Sequence, residues 1–239
     1  MAQAVAWHAR ERGLPCKIVV PETAPQTKLD AIDRLGGEVV KVPVSVWWET
    51  FRTRSYPGMM GLFVHAFMDP AVMAGNGTIG LEIVEDLPDV EAVLVPFGGG
   101  GLSCGIASAL RALAPGSKVY ACEVETSAPL GAALAAAEPV EIDHVPSFVD
   151  GIGAPTVFPE MFELARQLLG GSLVVGLDEV ATAIRLLVER NRVVAEGAGG
   201  APVAAALSGQ AGFGKLVCVV SGGNIDTAKL QAILSGKTP

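Results

Sequence analysis

Four consecutive glycines, Gly98–Gly101, follow the apolar segment Ala92–Phe97 and precede a segment with helical apolar periodicity. Glycine has no Cβ and costs backbone entropy, so such a run implies that something must approach the bare main chain. Between a strand and a helix, the loop N–H groups and the positive end of the helix can bind an anion. The stretch therefore predicts a phosphate-binding loop, for a nucleotide or for the phosphate of another cofactor.

The spacing around this loop argues against two common nucleotide motifs. A P-loop requires lysine and then serine or threonine after its last glycine, whereas Ile106 follows Gly105. A dinucleotide-binding G-x-G-x-x-G turn requires a third glycine where Ser103 and Cys104 stand. Glu123 ends a predicted strand about 20 residues further on, where a ribose-binding acid would lie. That acid keeps a dinucleotide hypothesis open.

A literal G-x-G-x-x-G occurs at Gly75, Gly77 and Gly80. The preceding residues, 69–73, predict helix or loop rather than the strand that a dinucleotide turn needs. We therefore interpret this match as accidental and expect these glycines to belong to a helix that packs closely on the sheet.

Two further glycine-rich turns, Glu196–Gly200 and Ser221–Asn224, lie at or near the ends of apolar segments. The second would be a structural turn if it stood alone. Paired with Gly98–Gly101, it indicates a second contact to the same cofactor, since ligands bind at the carboxyl ends of strands in open α/β sheets. A serine hydroxyl such as that of Ser221 can hydrogen-bond a heterocyclic nitrogen without protonating it.

Strand-length apolar segments alternate with helical patterns along almost the whole chain. The predicted strands are Lys17–Pro21, Glu38–Val42, Gly61–Phe67, Ala92–Phe97, Lys118–Glu125 and Lys215–Gly223. The predicted helices include Ala2–Arg12, Thr27–Leu35, Ala71–Asp86, Pro159–Leu169, Asp178–Asn191 and Gly197–Leu207. This alternation predicts an α/β fold with open, mostly parallel sheets and helices on both faces.

A break in the pattern at Val42–Gly58 predicts a domain junction. The segment has mixed charge, a Tyr-Pro-Gly turn signal, and Trp47 and Trp48, which we expect to pack on one face of a short helix. We therefore predict a small domain over residues 1–56 and a larger domain over residues 57–239.

Composition restricts the class of partner. The formal net charge of −8 and the isoelectric point near 4.9 argue against binding to nucleic acid or to an anionic membrane. Two uncharged stretches, 92–110 and 197–214, are too rich in glycine for spanning helices, and the amino terminus does not read as a signal peptide. The scattered cysteines, without CxxC spacing, predict buried free thiols in a reducing cytoplasm.

Several segments together resemble a known family. "VPFGGGGL", "VDGIG", "RNRVVAEGAGGAPVAAALSG" and "VVSGGNID", in this order and spacing, resemble the fold-type II pyridoxal-phosphate enzymes. The resemblance is strongest to the branch of threonine/serine dehydratases and serine racemases. The stretch from Ala2 to Val40 is similar to the small domain of that family, which has a tryptophan synthase β-like architecture.

The resemblance implies pyridoxal 5'-phosphate as the cofactor and assigns residues to it. The phosphate would be held by backbone amides of Gly98, Gly99, Gly100, Gly101 and Leu102. Ser221 would share a hydrogen bond with the pyridine nitrogen, and this neutral partner suits β-elimination better than transamination. Gly151 and Glu196 would line the cofactor pocket, although Glu196 alone is also compatible with a solvated acid at a helix start.

The implied reaction is removal of water and then ammonia from L-threonine, L-serine or a related β-hydroxy amino acid, giving a 2-oxo acid. A small amino-acid substrate and a homo-oligomer, either dimer or tetramer, are expected on the same grounds. Racemase, β-replacement synthase and threonine synthase remain alternatives within the fold. A noncatalytic nucleotide-binding module and a noncatalytic partner subunit are alternatives outside it.

The chain also departs from the family pattern. The family's Schiff-base lysine and its Ser-x-Gly-Asn loop precede the position that matches Met1, and none of the lysines of this chain stands in that context. We therefore expect that the catalytic lysine lies upstream of Met1, that the chain lacks the amino-terminal part of the family, and that the chain alone is inactive. Some relatives bind a divalent cation with two acidic residues. Glu123 matches the first of these positions, but Pro129 stands at the second, so no metal site is expected here.

Overall fold

The computed structural model describes all residues from Met1 to Pro239. The chain forms two compact units, Met1–Ala66 and Phe67–Pro239. The first unit thus ends at residue 66, whereas the predicted small domain ends at residue 56. The roles of the two units as the remainder of a small domain and as a cofactor-binding domain remain predictions.

The first unit contains two parallel strands and three helices. Its elements are α1 (Ala2–Glu11), β1 (Lys17–Pro21), α2 (Gln26–Arg34), β2 (Glu38–Val42) and α3 (Val44–Thr53). The two strands pair with Lys17 opposite Glu38, and Val20, Leu29 and Ile32 form the buried core. The first four elements confirm the predictions to within one residue at each end.

The strand predicted at Gly61–Phe67 is wrong. These residues form no strand, and no other strand pairs with them. Their aromatic residues pack against side chains instead: the ring of His65 lies 5.0 Å from Phe51 of α3 and 6.0 Å from Phe63, between centroids. β-branched and aromatic residues indicate a strand only where a neighbouring strand is available, since most of the β preference comes from cross-strand packing.

The second unit is a four-stranded parallel sheet with helices on both faces. Its elements are α4 (Pro70–Asp86), β3 (Ala92–Pro96), α5 (Gly101–Leu113), β4 (Lys118–Val124), α6 (Pro129–Ala136), α7 (Pro159–Leu168), β5 (Ser172–Val175), α8 (Leu177–Leu186), α9 (Gly197–Leu207), β6 (Leu216–Cys218) and α10 (Thr227–Leu234). The strand order is β5-β4-β3-β6, and every pairing is parallel. The predicted fold class is confirmed.

The central strand β3 shows why both faces of the sheet are covered. All five of its residues are buried. Val93 and Val95 belong to a buried cluster with residues of α4 and α5, whereas Leu94 belongs to a different one, with Ile184 of α8 and Ala201 of α9. Because successive side chains of a strand point to opposite faces, a continuous apolar run needs helices on both sides.

Four further elements differ from the sequence predictions. Strand β6 ends at Cys218 and not at residue 223, because residues 221–224 leave the sheet. The helix predicted over 178–191 ends as α8 at Leu186 and continues as a π-helical turn, Leu187–Asn191. The short strand β5 and helix α10 were not predicted, since each is too short for a clear period.

None of the helices combines the length and the apolar character that crossing a bilayer requires.

Candidate functional site

The glycine loop lies at the carboxyl edge of the sheet, between β3 and α5. The strand ends at Pro96, and α5 begins at Gly101. Gly100 stands at the helix N-cap with a φ of +88°, a conformation that glycine adopts without strain. The loop therefore directs the main chain from the buried centre of the sheet straight into the positive end of a thirteen-residue helix.

Close packing explains why three of the four positions hold glycine. A Cβ placed at Gly99 would overlap the ring of Phe67, and one at Gly101 would lie 2.6 Å from the Phe67 carbonyl oxygen. A Cβ placed at Gly98 would lie 3.2 Å from the Cα of Ile152. The bare backbone is thus required by neighbours within the second unit, which press the loop into a fixed shape. This role of Phe67 could not be predicted, because a lone phenylalanine in an apolar segment carries no signal of it.

The loop offers a row of hydrogen-bond donors. Within residues 67–239, the N–H groups of the six consecutive residues 98–103 donate to no acceptor. The first N–H of this region with a partner is that of Cys104, which donates to the Gly100 carbonyl oxygen. Buried or half-buried main-chain donors require partners, and at a helix N-terminus the partner that fits is an anion. The donors and the glycine cradle therefore fit the phosphate of a cofactor.

The tertiary structure brings three other segments to this loop. The short turn Asp150–Ile152 approaches Gly98 on one side. On its other side, a Cβ placed at Gly151 would lie 2.8 Å from Ala198 Cβ and 3.5 Å from Glu196 Oε1. Glu196 is the N-cap of α9, and its N–H donates to the Gly222 carbonyl oxygen at 2.9 Å. Segments that are far apart in sequence therefore form one continuous site.

Ser221 lies beside this site because β6 is the neighbour of β3. The two strands pair with Leu94 opposite Cys218, and Val219 N–H donates to the Leu94 carbonyl oxygen. The same register continued by three residues would set Ser221 level with Phe97, next to the first glycine of the loop. Ser221 is exposed in this chain and is therefore accessible to a ligand.

The predicted site residues thus share one edge of the sheet. Gly100 and Gly101 are buried, Gly98, Gly99, Leu102 and Glu196 are half-buried, and Gly151 and Ser221 are exposed. Their individual contacts to the cofactor stay predictions.

The Glu123 side chain has a structural role and not a ribose-binding one. The side chain is fully buried, and its carboxylate accepts hydrogen bonds from the N–H groups of Leu130 and Gly131 and from the Ser172 hydroxyl. Burial raises the pKa of this carboxyl above its ordinary value, although the hydrogen bonds oppose the shift. Since these donors occupy both oxygens, the dinucleotide hypothesis loses the residue on which it rested.

The G-x-G-x-x-G sequence lies in the middle of α4, where it packs on α5. A Cβ placed at Gly77 would lie 3.1 Å from the Gly105 carbonyl oxygen, and one at Gly80 would lie 2.9 Å from Ala109 Cβ. The motif thus allows close packing, but the partner is the helix α5 and not the sheet as expected, and a Cβ placed at Gly75 would meet nothing within 4 Å.

The cysteines are all free, as predicted, but only Cys104 and Cys122 are buried, whereas Cys16 and Cys218 are half-buried. Burial raises the pKa of Cys104 to about 12 and that of Cys218 to about 11, so neither thiol is a nucleophile at neutral pH. No group of three or more metal-ligating side chains is arranged to hold an ion.

Two lysines of the second unit, Lys118 and Lys215, lie away from the four segments of the site. Lys118 begins β4 and Lys215 directly precedes β6, so both stand at the opposite edge of the sheet. Lys215 is paired with Asp89, and Lys229 lies 3.8 Å from Asp226.

Comparison with known proteins agrees with this geometry. The model of the family described as "Pyridoxal-phosphate dependent enzyme" matches residues 1–222. The chain belongs to this family. Pyridoxal phosphate is therefore its cofactor, and the resemblance seen in the sequence is confirmed.

Individual members of the family are similar over nearly the whole chain. The L-threonine ammonia-lyase of Thermotoga maritima is 39% identical over 237 residues, and the catabolic L-threonine dehydratase of Escherichia coli is 35% identical over 237 residues. The structure of maize serine racemase superposes with a TM-score of 0.85 at 27% identity over 98% of the chain. The chain spans 59% of the Thermotoga enzyme, 72% of the Escherichia coli enzyme and 73% of the racemase.

Proposed function

We propose that the whole protein is a pyridoxal-phosphate-dependent ammonia-lyase. It would remove water and then ammonia from L-threonine, L-serine or a related β-hydroxy amino acid and release a 2-oxo acid. The observation that carries the proposal is the row of free N–H donors at residues 98–103, on the edge where Ser221 and Glu196 also lie. The similarity to ammonia-lyases and dehydratases supports the choice of reaction.

The residues of the chain have distinct tasks in this proposal. The amides from Gly98 to Leu102 bind the cofactor phosphate, and the dipole of α5 adds to the attraction. When bound, pyridoxal phosphate supplies an electron sink for the α-carbon of an amino acid. Ser221 offers a hydroxyl to the heterocyclic nitrogen and leaves it unprotonated, which favours elimination over transamination. Gly151 and Glu196 line the pocket. None of the lysines of this chain is assigned as the Schiff-base residue.

The proposal is tested by spectroscopy and by product analysis. We expect the protein from its full reading frame to show the absorption band of bound pyridoxal phosphate and to form a 2-oxo acid from threonine or serine. The 239-residue chain should bind the cofactor without turnover. A protein that binds NAD but not pyridoxal phosphate would contradict the proposal.

Racemisation is the second candidate, favoured by the close superposition on maize serine racemase. Chiral chromatography of the same reactions separates the two. Accumulation of the D-amino acid without 2-oxo acid would favour the racemase, and consumption of an added thiol would favour β-replacement. Cofactor binding without any turnover by the full-length protein would favour a noncatalytic subunit.

A homo-oligomer and a cytoplasmic location belong to the same proposal. Light scattering of the purified protein tests the oligomeric state.

A further inference from the structure

Residues 150–154 form one wall of the site and have little regular structure of their own. Residues 150–154 contain a single 3-10 turn of three residues, and the chain on either side is irregular from 137 to 158. Such a short turn is not stable by itself. Yet a Cβ placed at Gly98 would lie 3.2 Å from Ile152 Cα and 3.4 Å from the Gly151 carbonyl oxygen. Contacts from elsewhere must hold this wall against the glycine loop.

Ser127 provides the most direct of these contacts. Its side chain is buried in the loop between β4 and α6, with 1% of its surface exposed. The Ser127 hydroxyl donates to the Ala154 carbonyl oxygen at 2.9 Å and accepts from the Ala154 N–H at 2.9 Å. A serine hydroxyl can do both at once. One side chain therefore satisfies both main-chain groups of a buried residue 27 positions further along the chain.

Neighbouring residues fix the same loop to the same wall. Val145 N–H donates to the Thr126 carbonyl oxygen at 3.0 Å. The Ser147 hydroxyl oxygen accepts from the Thr126 hydroxyl at 3.4 Å and from Val149 N–H at 3.2 Å. Behind the loop, the Glu123 carboxylate accepts from the first turn of α6 and so anchors the platform from which Ser127 projects.

We propose that Ser127 is a positioning residue, which holds residues 150–154 against the phosphate-binding loop and thereby sets the affinity of the site for a phosphate-bearing cofactor. This inference rests on the proposed function. Ser127 acts through Ala154 and does not itself line the row of free donors. A hydroxyl lost at position 127 leaves two buried main-chain groups without partners, so the wall has to move or take up water.

The test compares Ser127→Ala with Ser127→Thr, which keeps the hydroxyl, and with Ser117→Ala. The Ser117 hydroxyl also donates to a main-chain carbonyl oxygen, that of Ala114, at the opposite edge of the sheet. Calorimetry gives the dissociation constants of pyridoxal phosphate and of inorganic phosphate, and hydrogen exchange follows residues 98–103 and 142–156. We expect Ser127→Ala to weaken cofactor binding by about tenfold or more and to speed exchange in both segments. The other two variants should resemble the wild type.

The outcomes of this test separate the inference from the proposed function. A wild-type chain that binds no pyridoxal phosphate overturns the proposed function and the affinity claim. Unchanged hydrogen exchange in Ser127→Ala overturns the positioning claim. A wild type that binds the cofactor and a Ser127→Ala variant that binds it equally well overturn the inference alone, even if the variant is less stable overall. If circular dichroism shows that Ser127→Ala is unfolded, Ser147→Ala replaces it with the same expectation, and unchanged affinity there overturns the inference.

Discussion

At the scale of single residues, the glycine loop is defined as much by its protein neighbours as by an anion. Gly99 and Gly101 lie against Phe67, whose ring in turn packs edge-to-face on Phe158 with centroids 5.5 Å apart. A β-carbon in the loop would therefore displace an aromatic ring within a buried cluster before any ligand arrived.

Gly99→Ala should destabilise the chain by about 1–3 kcal/mol and weaken pyridoxal phosphate binding, because the new Cβ overlaps the ring of Phe67. Urea unfolding and cofactor titration measure the two effects. Gly116→Ala is the matched control, since a Cβ there meets nothing within 4 Å. Equal behaviour of the two variants would contradict the packing argument.

Glu123 predicts a particular dependence of stability on pH. Because its folded-state pKa is raised, the stability that it contributes relative to a glutamine is fully present below the ordinary value of 4.5. That contribution is lost as the pH rises through the folded value. The unfolding free energy of the wild type, measured relative to that of Glu123→Gln, should therefore decrease from acidic to neutral pH. Urea titrations across this range measure it, and a difference that grows in favour of the wild type with rising pH would refute the burial argument.

At the scale of elements, the same residue type has opposite effects at two places on α4. Gly80 faces α5, with a Cβ position 2.9 Å from Ala109 Cβ and 3.2 Å from the Ile106 carbonyl oxygen, whereas a Cβ at Gly75 meets nothing within 4 Å. Helical period decides which glycine touches the partner helix, because residues on one face recur every three to four positions.

Gly80→Ala should lower the free energy of unfolding by about 1–3 kcal/mol, since the helices have to separate. Gly75→Ala should instead raise it by roughly 0.5–1 kcal/mol, because alanine favours the helix and nothing obstructs it. Thermal or urea unfolding of the two variants provides the comparison. Stabilisation by both would mean that α4 and α5 are not tightly packed at Gly80.

At the scale of the whole molecule, cofactor binding should be visible as stabilisation. Pyridoxal phosphate at a hundredfold excess over its dissociation constant should add about 2.7 kcal/mol to the stability of the folded state. For a unit of this size that corresponds to a rise in Tm of several degrees. Pyridoxal, which lacks the phosphate, should give a much smaller shift, because the row of donors at residues 98–103 then has no anion. Equal shifts with both compounds would show that the loop does not bind the phosphate.

The alternation of strands and helices, the parallel sheet and the family could all be predicted from the sequence. These follow from local signals: β3 is a continuous apolar run, and the glycines after it mark the turn to α5. The ordered glycine motifs also indicated the cofactor. Short or context-dependent elements could not be predicted from the sequence, as the wrong strand at Gly61–Phe67 and the missed β5 illustrate.

The role of each buried polar or glycine position depends instead on contacts that form in the folded chain. Glu123 could equally have bound a ribose, and its three donors come from residues 7, 8 and 49 positions away. Phe67 against Gly99 and Ser127 against Ala154 are likewise contacts between distant parts of the chain. Local pattern fixes which residues face a sheet or a helix, but the partner of a buried group depends on chain segments that only folding brings together.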